Sequence, residues 1–251
     1  MITLLPLASL GEIKPGDDLG GLLAAALAAE GLTPHSGDVL VVTQKIVSKA
    51  EGRFVDLRSV TPGAEAQRLA AITHKDPRLV ELVLAESSAV LRAVPHVLIT
   101  RHRTGHVMAN AGIDRSNLGP GQDHLVLLLP VNADESAATM RTRLATYLGS
   151  VPAIVISDSF GRPWRMGVTN VALGAAGFPS LWDRRGALDR DGRTLEVTQI
   201  ALADMAAAAA GLVMGEAAES VPAVLLRGLF FTAPANPAAA LVRPLAEDLF
   251  T

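Results

Sequence analysis

The chain alternates short apolar runs with longer stretches whose apolar residues recur at helical spacing. Asp38–Thr43 follows a Ser-Gly pair and is almost wholly apolar, which predicts a buried strand. Val94–Arg101, His124–Leu129, Pro152–Ser157 and Val221–Arg227 share that Val/Ile/Leu-rich character, and Thr194–Thr198 is a sixth candidate. Helices are predicted over Leu22–Glu30, Ala64–Thr73, Arg78–Val90 and Ser136–Leu148. Leu79, Val83 and Leu84 fall at helical spacing in the third, and Ser136 offers a cap to the fourth. A last helix is predicted over Ile200–Met214, with Leu202, Met205, Ala209, Leu212 and Val213 as its apolar stripe. Strands and helices mix without strict βαβ alternation, so the expected class is α+β with mixed sheets, neither P-loop nor Rossmann. Residues 1–251 are expected to form a single catalytic unit, or two intertwined subdomains, with no separate C-terminal domain.

Composition narrows this picture. With 251 residues the chain can bury roughly three-quarters of its unfolded surface. Only 4% of residues are aromatic, so the core must be aliphatic. A formal net charge of -3 argues against general binding to nucleic acid or anionic membranes. The absence of Cys removes disulfides, zinc-thiolate sites, iron–sulfur clusters and cysteine nucleophiles together. The start reaches Glu12 and Lys14 too soon for a signal peptide. Of the longest uncharged stretches, Leu19–Ala29 and Met205–Gly215 are too short to span a bilayer, and Gly228–Val242 is broken by Pro234 and Pro237. A cytoplasmic enzyme is the expectation.

The familiar nucleotide and hydrolase motifs are missing: there is no Walker phosphate loop, no Gly-x-Gly-x-x-Gly and no Gly-x-Ser-x-Gly. His102 and His106 alternate with Arg101 and Arg103 and read as a solvated face rather than a metal site. Four polar clusters remain. Asp158 and Ser159 end the apolar run Ile154–Ser157 and precede Arg162 and Arg165, which suits a divalent cation with phosphate clamps, or a plain Asp cap on a turn. Asn110–Asn117 holds two Asn, a Gly and Asp114, and fits either metal and ligand contacts or an Asx-turn loop. Lys45 and Lys49, four residues apart, project together from a helical turn and suit a polyphosphate, or are simply solvated. Glu216 and Glu219 follow Gly215 at a negative helix end, where they ask for a cation or sit in a solvated loop.

In order along the chain, these segments resemble the coenzyme F420-0:L-glutamate ligase family, also called F420-0:γ-glutamyl ligase. The resemblance rests on Leu5-Pro-Leu-Ala8, Pro15-Gly-Asp-Asp-Leu19, Gly37-Asp-Val-Leu-Val-Val42 and Val47-Ser-Lys-Ala-Glu-Gly52. It continues through Asn110-Ala-Gly-Ile-Asp-Arg-Ser-Asn117, Leu128-Leu-Pro-Val-Asn-Ala-Asp134 and Ile156-Ser-Asp-Ser-Phe-Gly-Arg162. Leu195-Glu-Val-Thr198, Met214-Gly-Glu216 and Pro222-Ala-Val-Leu-Leu-Arg-Gly228 complete it. The end at Arg243–Phe250 resembles the stand-alone form rather than relatives with an added flavin-type domain.

The resemblance implies GTP-dependent amide ligation. GTP would phosphorylate the lactyl carboxylate of F420-0, and the amine of L-glutamate would displace phosphate, with further γ-linked glutamates in many members. It also implies two divalent cations (Mg²⁺ or Mn²⁺), K⁺ and a homodimer, into which the Gly-rich segment Gly167–Phe178 could pack. Carried over by motif, Asp114 and Asp158 match ligands of one metal, and Ser159 and Glu216 those of the second. Leu5, Pro6, Leu7, Ala8, Gln44, Lys45, Lys49 and Asn117 match nucleotide positions. So do Met214, Gly215, Glu216, Ala217, Ala218, Glu219, Ser220 and Val221. Lys49, Arg162 and Arg165 are the candidate catalytic cations, offsetting phosphoryl charge. Ser157-Asp-Ser159 stands where Thr-Asp-Thr is usual, Gln44 replaces a Ser or Thr, and Ala217-Ala218 occupies a loop often rich in Gly. Two other readings stay open: a metal-dependent amide ligase for a different carboxylic acid, or a non-catalytic GTP-binding regulator.

Overall fold

The computed structural model describes residues 1–119 and 121–248. The first half of the chain runs β1 (Thr3–Pro6), α1 (Leu19–Ala29), β2 (Val39–Thr43), α2 (Gln44–Ala50), β3 (Phe54–Asp56), α3 (Ala64–Thr73) and α4 (Pro77–Ala85). Next come β4 (Ser87–Val94), β5 (Val97–His102), β6 (Val107–Ala109), β7 (Leu125–Leu127) and α5 (Ala133–Leu144). The last part holds β8 (Ala153–Arg162), β9 (Arg165–Ala176), β10 (Leu181–Asp183), β11 (Gln199–Ala201), α6 (Leu202–Met214) and β12 (Ala223–Arg227). The class is the expected mixture of sheets and packed helices, around a five-stranded sheet in the order β1-β12-β2-β8-β9. Only β2 and β8 in it are parallel, with Thr43, the last residue of β2, opposite Ser157 midway along β8. Among the described residues no helix is long and apolar enough to cross a membrane.

Alternation along the strands divides the core. Leu40, Val42, Ile154, Ile156 and Leu225 face α1 and α5, while Val39, Val41, Val155, Val224 and Leu226 face α6. Each such side chain contributes roughly 1.5–3 kcal/mol of burial. A third cluster, including Leu57, Leu69, Val80, Val83, Leu98 and Val126, joins α3 and α4 to the smaller sheets β3-β7 and β4-β5-β6. Gly174 lets β9 pass against the start of α5, because a Cβ there would lie 2.2 Å from the Ala133 carbonyl oxygen.

Several sequence expectations need correction. The helix predicted over Arg78–Val90 stops at Ala85, and Ser87–Val94 is a strand paired with β5. The Ser87 hydroxyl donates to the Val83 carbonyl at 2.6 Å, which closes the helix, and cross-strand pairing takes over. Thr194–Thr198 is not a strand; Thr194 forms one bridge with Leu188, and the ladder is Gln199–Ala201 against Leu181–Asp183. In the last helix Met205 and Leu212 are exposed, and the buried face is Leu202, Ala203, Ala206, Ala207, Ala210 and Met214. Small side chains let α6 lie close to the sheet, so four alanines flanked by Leu202 and Met214 are buried while Met205 and Leu212 face outward. Helix α5 begins at Ala133, where Asn132 rather than Ser136 accepts the capping bond, from the Glu135 amide. Nor are Arg101 and His102 a solvated face: both are buried, Arg101 against Asp248 and His102 near Glu86. The segment Gly167–Phe178 needs no such correction; it is chiefly β9, the edge strand of the five-stranded sheet, paired on one side with β8.

Candidate functional site

An open cavity of about 660 Å³ lies at the C-terminal end of β2 and beside Asp158 and Ser159 of β8, where β8 runs on past its parallel neighbour. Ligands of open α/β sheets commonly bind there, because side chains leave rigid strand ends toward solvent. Helix α2 follows β2 directly, with the Thr43 side chain as its cap, and projects Lys45 and Lys49 toward the cavity from one face. The Lys45 ammonium sits 2.7 Å from an Asp114 carboxylate oxygen and 2.7 Å from the Ser116 hydroxyl oxygen. Lys49 is almost fully buried and pairs with Glu12. Gln44 is buried too, its amide oxygen accepting from the Ser48 hydroxyl at 2.9 Å.

Strand β8 carries the decisive group. A register shift in the β8–β9 ladder falls between Ile156 and Ser157, just before Asp158, the kind of irregularity that re-aims side chains beside sites. Asp158 lines the cavity, and its carboxylate accepts one hydrogen bond, from the Ser159 amide at 2.9 Å. Burial pushes its carboxyl up to about 7, against that amide bond, and the negative charges of Asp114 and Glu216 add to the rise. Asp114 behaves oppositely. Burial works against its ionisation, but the Lys45 ammonium and the Ser116 amide and hydroxyl hold it below the ordinary value. Asp158, Asp114 and Glu216 thus act on one another beside the Lys45 ammonium, while the Lys49 ammonium is taken by Glu12, and the potential favours additional positive charge.

The donor chemistry fits a hard cation: carboxylate and hydroxyl oxygens, with no thiolate in the chain. Among the described residues no three acidic or imidazole side chains form a ready-made cage. One or two protein oxygens per ion, completed by phosphate and water, is how Mg²⁺ is commonly held. The loop after α6 closes the cavity. Gly215 ends that helix with φ 70°, and a Cβ on it would lie 2.1 Å from the Glu219 carboxyl carbon. Glu219 turns back to accept from the Ala217 amide at 2.8 Å, leaving Glu216 as the loop's carboxylate facing Asp158.

The comparisons with known proteins agree over nearly the whole chain. The profile of the family described as F420-0:Gamma-glutamyl ligase matches residues 8–228. The coenzyme F420:L-glutamate ligase of Methanopyrus kandleri is 44% identical over 244 residues, covering 95% of this chain and 93% of that protein. Its namesake in Methanothermobacter thermautotrophicus is 44% identical, covering 90% and 89%, and that of Halobacterium salinarum 45%, covering 88% and 85%. The chain belongs to the F420-0:γ-glutamyl ligase family.

Of the positions expected from the family's motifs, the fold gathers Gln44, Lys45, Lys49, Asp114, Asn117, Asp158 and Ser159 on this one cavity. Met214 through Val221 line it as well. Leu5, Pro6, Leu7 and Ala8 do not; Leu7 is fully buried, and the cavity begins with the next segment, Leu10–Ile13. Arg162 and Arg165 lie at the β8–β9 hairpin, off the lining, where Arg162 donates to the Met166 carbonyl. Sequence reasoning missed Glu12, the partner of Lys49, and Asn170 on β9, which also lines the cavity. Neither had a usable signal: Glu12 stands among Lys14, Asp17 and Asp18 in a turn-rich segment, and β9, which carries Asn170, was not foreseen.

Proposed function

We propose that the protein joins L-glutamate to the lactyl carboxylate of coenzyme F420-0 at the expense of GTP. The oxygen-lined cavity in which Asp158 is forced toward neutrality between Asp114 and Glu216 carries this reading, because it calls for cations that polyphosphate would bring. The γ-phosphoryl group passes to the carboxylate oxygen, giving an acyl phosphate and GDP. The amine nitrogen then attacks the acyl carbon, the carbon–oxygen bond to phosphate breaks, and the nitrogen releases a proton. Asp114 with Asp158, and Ser159 with Glu216, would hold two Mg²⁺ or Mn²⁺ ions. Once bound, these ions neutralise charge on the transferring phosphoryl group. Lys45 and Lys49 orient the phosphates, and the loop from Met214 to Val221 covers the nucleotide and keeps water from the acyl phosphate. The same reading makes the protein a cytoplasmic homodimer that uses K⁺ and is organised as one catalytic unit.

The test is mass spectrometry of a reaction containing F420-0, L-glutamate, GTP and Mn²⁺, with controls lacking metal or carrying ATP for GTP. Glutamyl mass increments with GDP formed in step are expected. GTP binding without product would move the activity to another carboxylic acid or to a regulator, and no GTP binding would overturn the nucleotide assignment.

A further inference from the structure

A second cavity, of about 600 Å³, shares a wall with the first: Asp114 and Ser116 line both. The wall is held by an unusual backbone, Asn110, Ala111 and Gly112 being three consecutive residues with φ between 51° and 71°. Beyond it stand Lys75 and Arg115. Among the described residues neither has a carboxylate within ion-pair distance, and Arg115 donates instead to the Asp123 carbonyl at 3.2 Å. The carboxylates bordering this space are engaged elsewhere, Asp76 by Arg78 at 2.6 Å and Asp114 by Lys45. The amide oxygen of Asn110, a residue on the lining of the same cavity, is buried and has no hydrogen-bond partner among the described residues.

Two cations and one orphaned acceptor describe a small ligand with two anionic ends and one N–H donor, since a buried unmet acceptor is costly until a donor arrives. We propose that the second cavity seats the amino-acid substrate, an α-amino dicarboxylate whose carboxylates meet Lys75 and Arg115 and whose amino group meets the Asn110 oxygen. This rests on the ligase reading above. It brings the amine to the shared wall beside Asp114, across from the phosphoryl chemistry, so that the two reactants approach from opposite cavities.

The test compares Lys75→Gln, Arg115→Gln and Asn110→Gly, the last chosen because Gly accepts the left-handed backbone. With melting temperatures confirming folding, each Gln variant should raise the KM for L-glutamate roughly 10–100-fold, the size of one lost charge-assisted hydrogen bond, while the KM for GTP and F420-0 stays within about twofold. Asn110→Gly should weaken L-glutamate but leave inhibition by glutarate, which lacks the amine, unchanged. Unaltered L-glutamate KM in both Gln variants overturns the assignment, as does a rise confined to F420-0, which would give the cavity to that substrate's tail. A wild type that forms no product overturns the ligase reading instead. Calorimetric titration of L-glutamate alone then decides the cavity: binding lost in the Lys75→Gln/Arg115→Gln double variant supports it, and binding retained, or absent in the wild type, overturns it.

Discussion

Asp38 and Asp158 stand at opposite ends of the same parallel strand pair, and the fold treats them in opposite ways. Asp38, 2% exposed at the entrance to β2, receives Arg227 through bonds of 3.1, 3.1 and 2.7 Å and the His35 amide at 2.8 Å. Asp158, just past the point where β8 leaves β2, accepts one amide and faces two other carboxylates. The first is a buried charge fully answered by its own chain. The second is left wanting positive charge, which a purely structural carboxylate would have no reason to be. Buried groups that the fold leaves unanswered are the marks of a site.

The largest effect should come from Asp158→Asn. Removing that charge is expected to lower turnover on the order of 10²–10³-fold, well beyond any loss of GTP affinity, with no fall in the melting temperature. Undiminished ligation would dissolve the contrast. Asp38→Asn should do the reverse, destabilising the protein by about 3 kcal/mol because Arg227 loses its buried partner, with kcat of the folded fraction retained. That corresponds to a melting point roughly 6–12 °C lower, read by calorimetry. A stable Asp38→Asn protein would show that the ion pair stabilises nothing.

A smaller test uses a buried base near the same strand. His106 packs edge-on against Phe160 of β8, at 6.1 Å between ring centres. Burial, with the nearby charge of His102, lowers its value from 6.5 to about 4, against the pull of Asp134. The unfolded chain therefore takes up this proton first as pH falls. The stability tied to neutral His106 is complete above pH 6.5 and is lost progressively toward pH 4, to the extent of roughly 3 kcal/mol. Urea midpoints measured from pH 7.5 to 4 should show this slope, flattened in His106→Gln; identical slopes would place the acid sensitivity elsewhere.

Much of the site was legible in local sequence. Lys45 and Lys49 share a helical face, Asp158 interrupts an apolar run, and Glu216 and Glu219 follow a helix-ending Gly, all patterns a few residues long. What was not legible involved partners far apart in the chain. Lys49 meets Glu12 across 37 residues and Lys45 meets Ser116 across 71, pairings that no spacing rule anticipates. The two glutamates looked equivalent, yet the loop folded Glu219 back onto the Ala217 amide and left Glu216 acting on Asp158.

The sequence by itself determined the class of the fold, the buried strands β2, β7 and β12 with the first half of β8, the family and the residue types of the chemistry, because these follow from short-range periodicity and motif. Only the tertiary structure decided which face of α6 is buried, where α4 gives way to β4, and which carboxylate stays unanswered. Those outcomes depend on close approach, cross-strand pairing and the shared electrostatics of groups that meet only when the chain is folded.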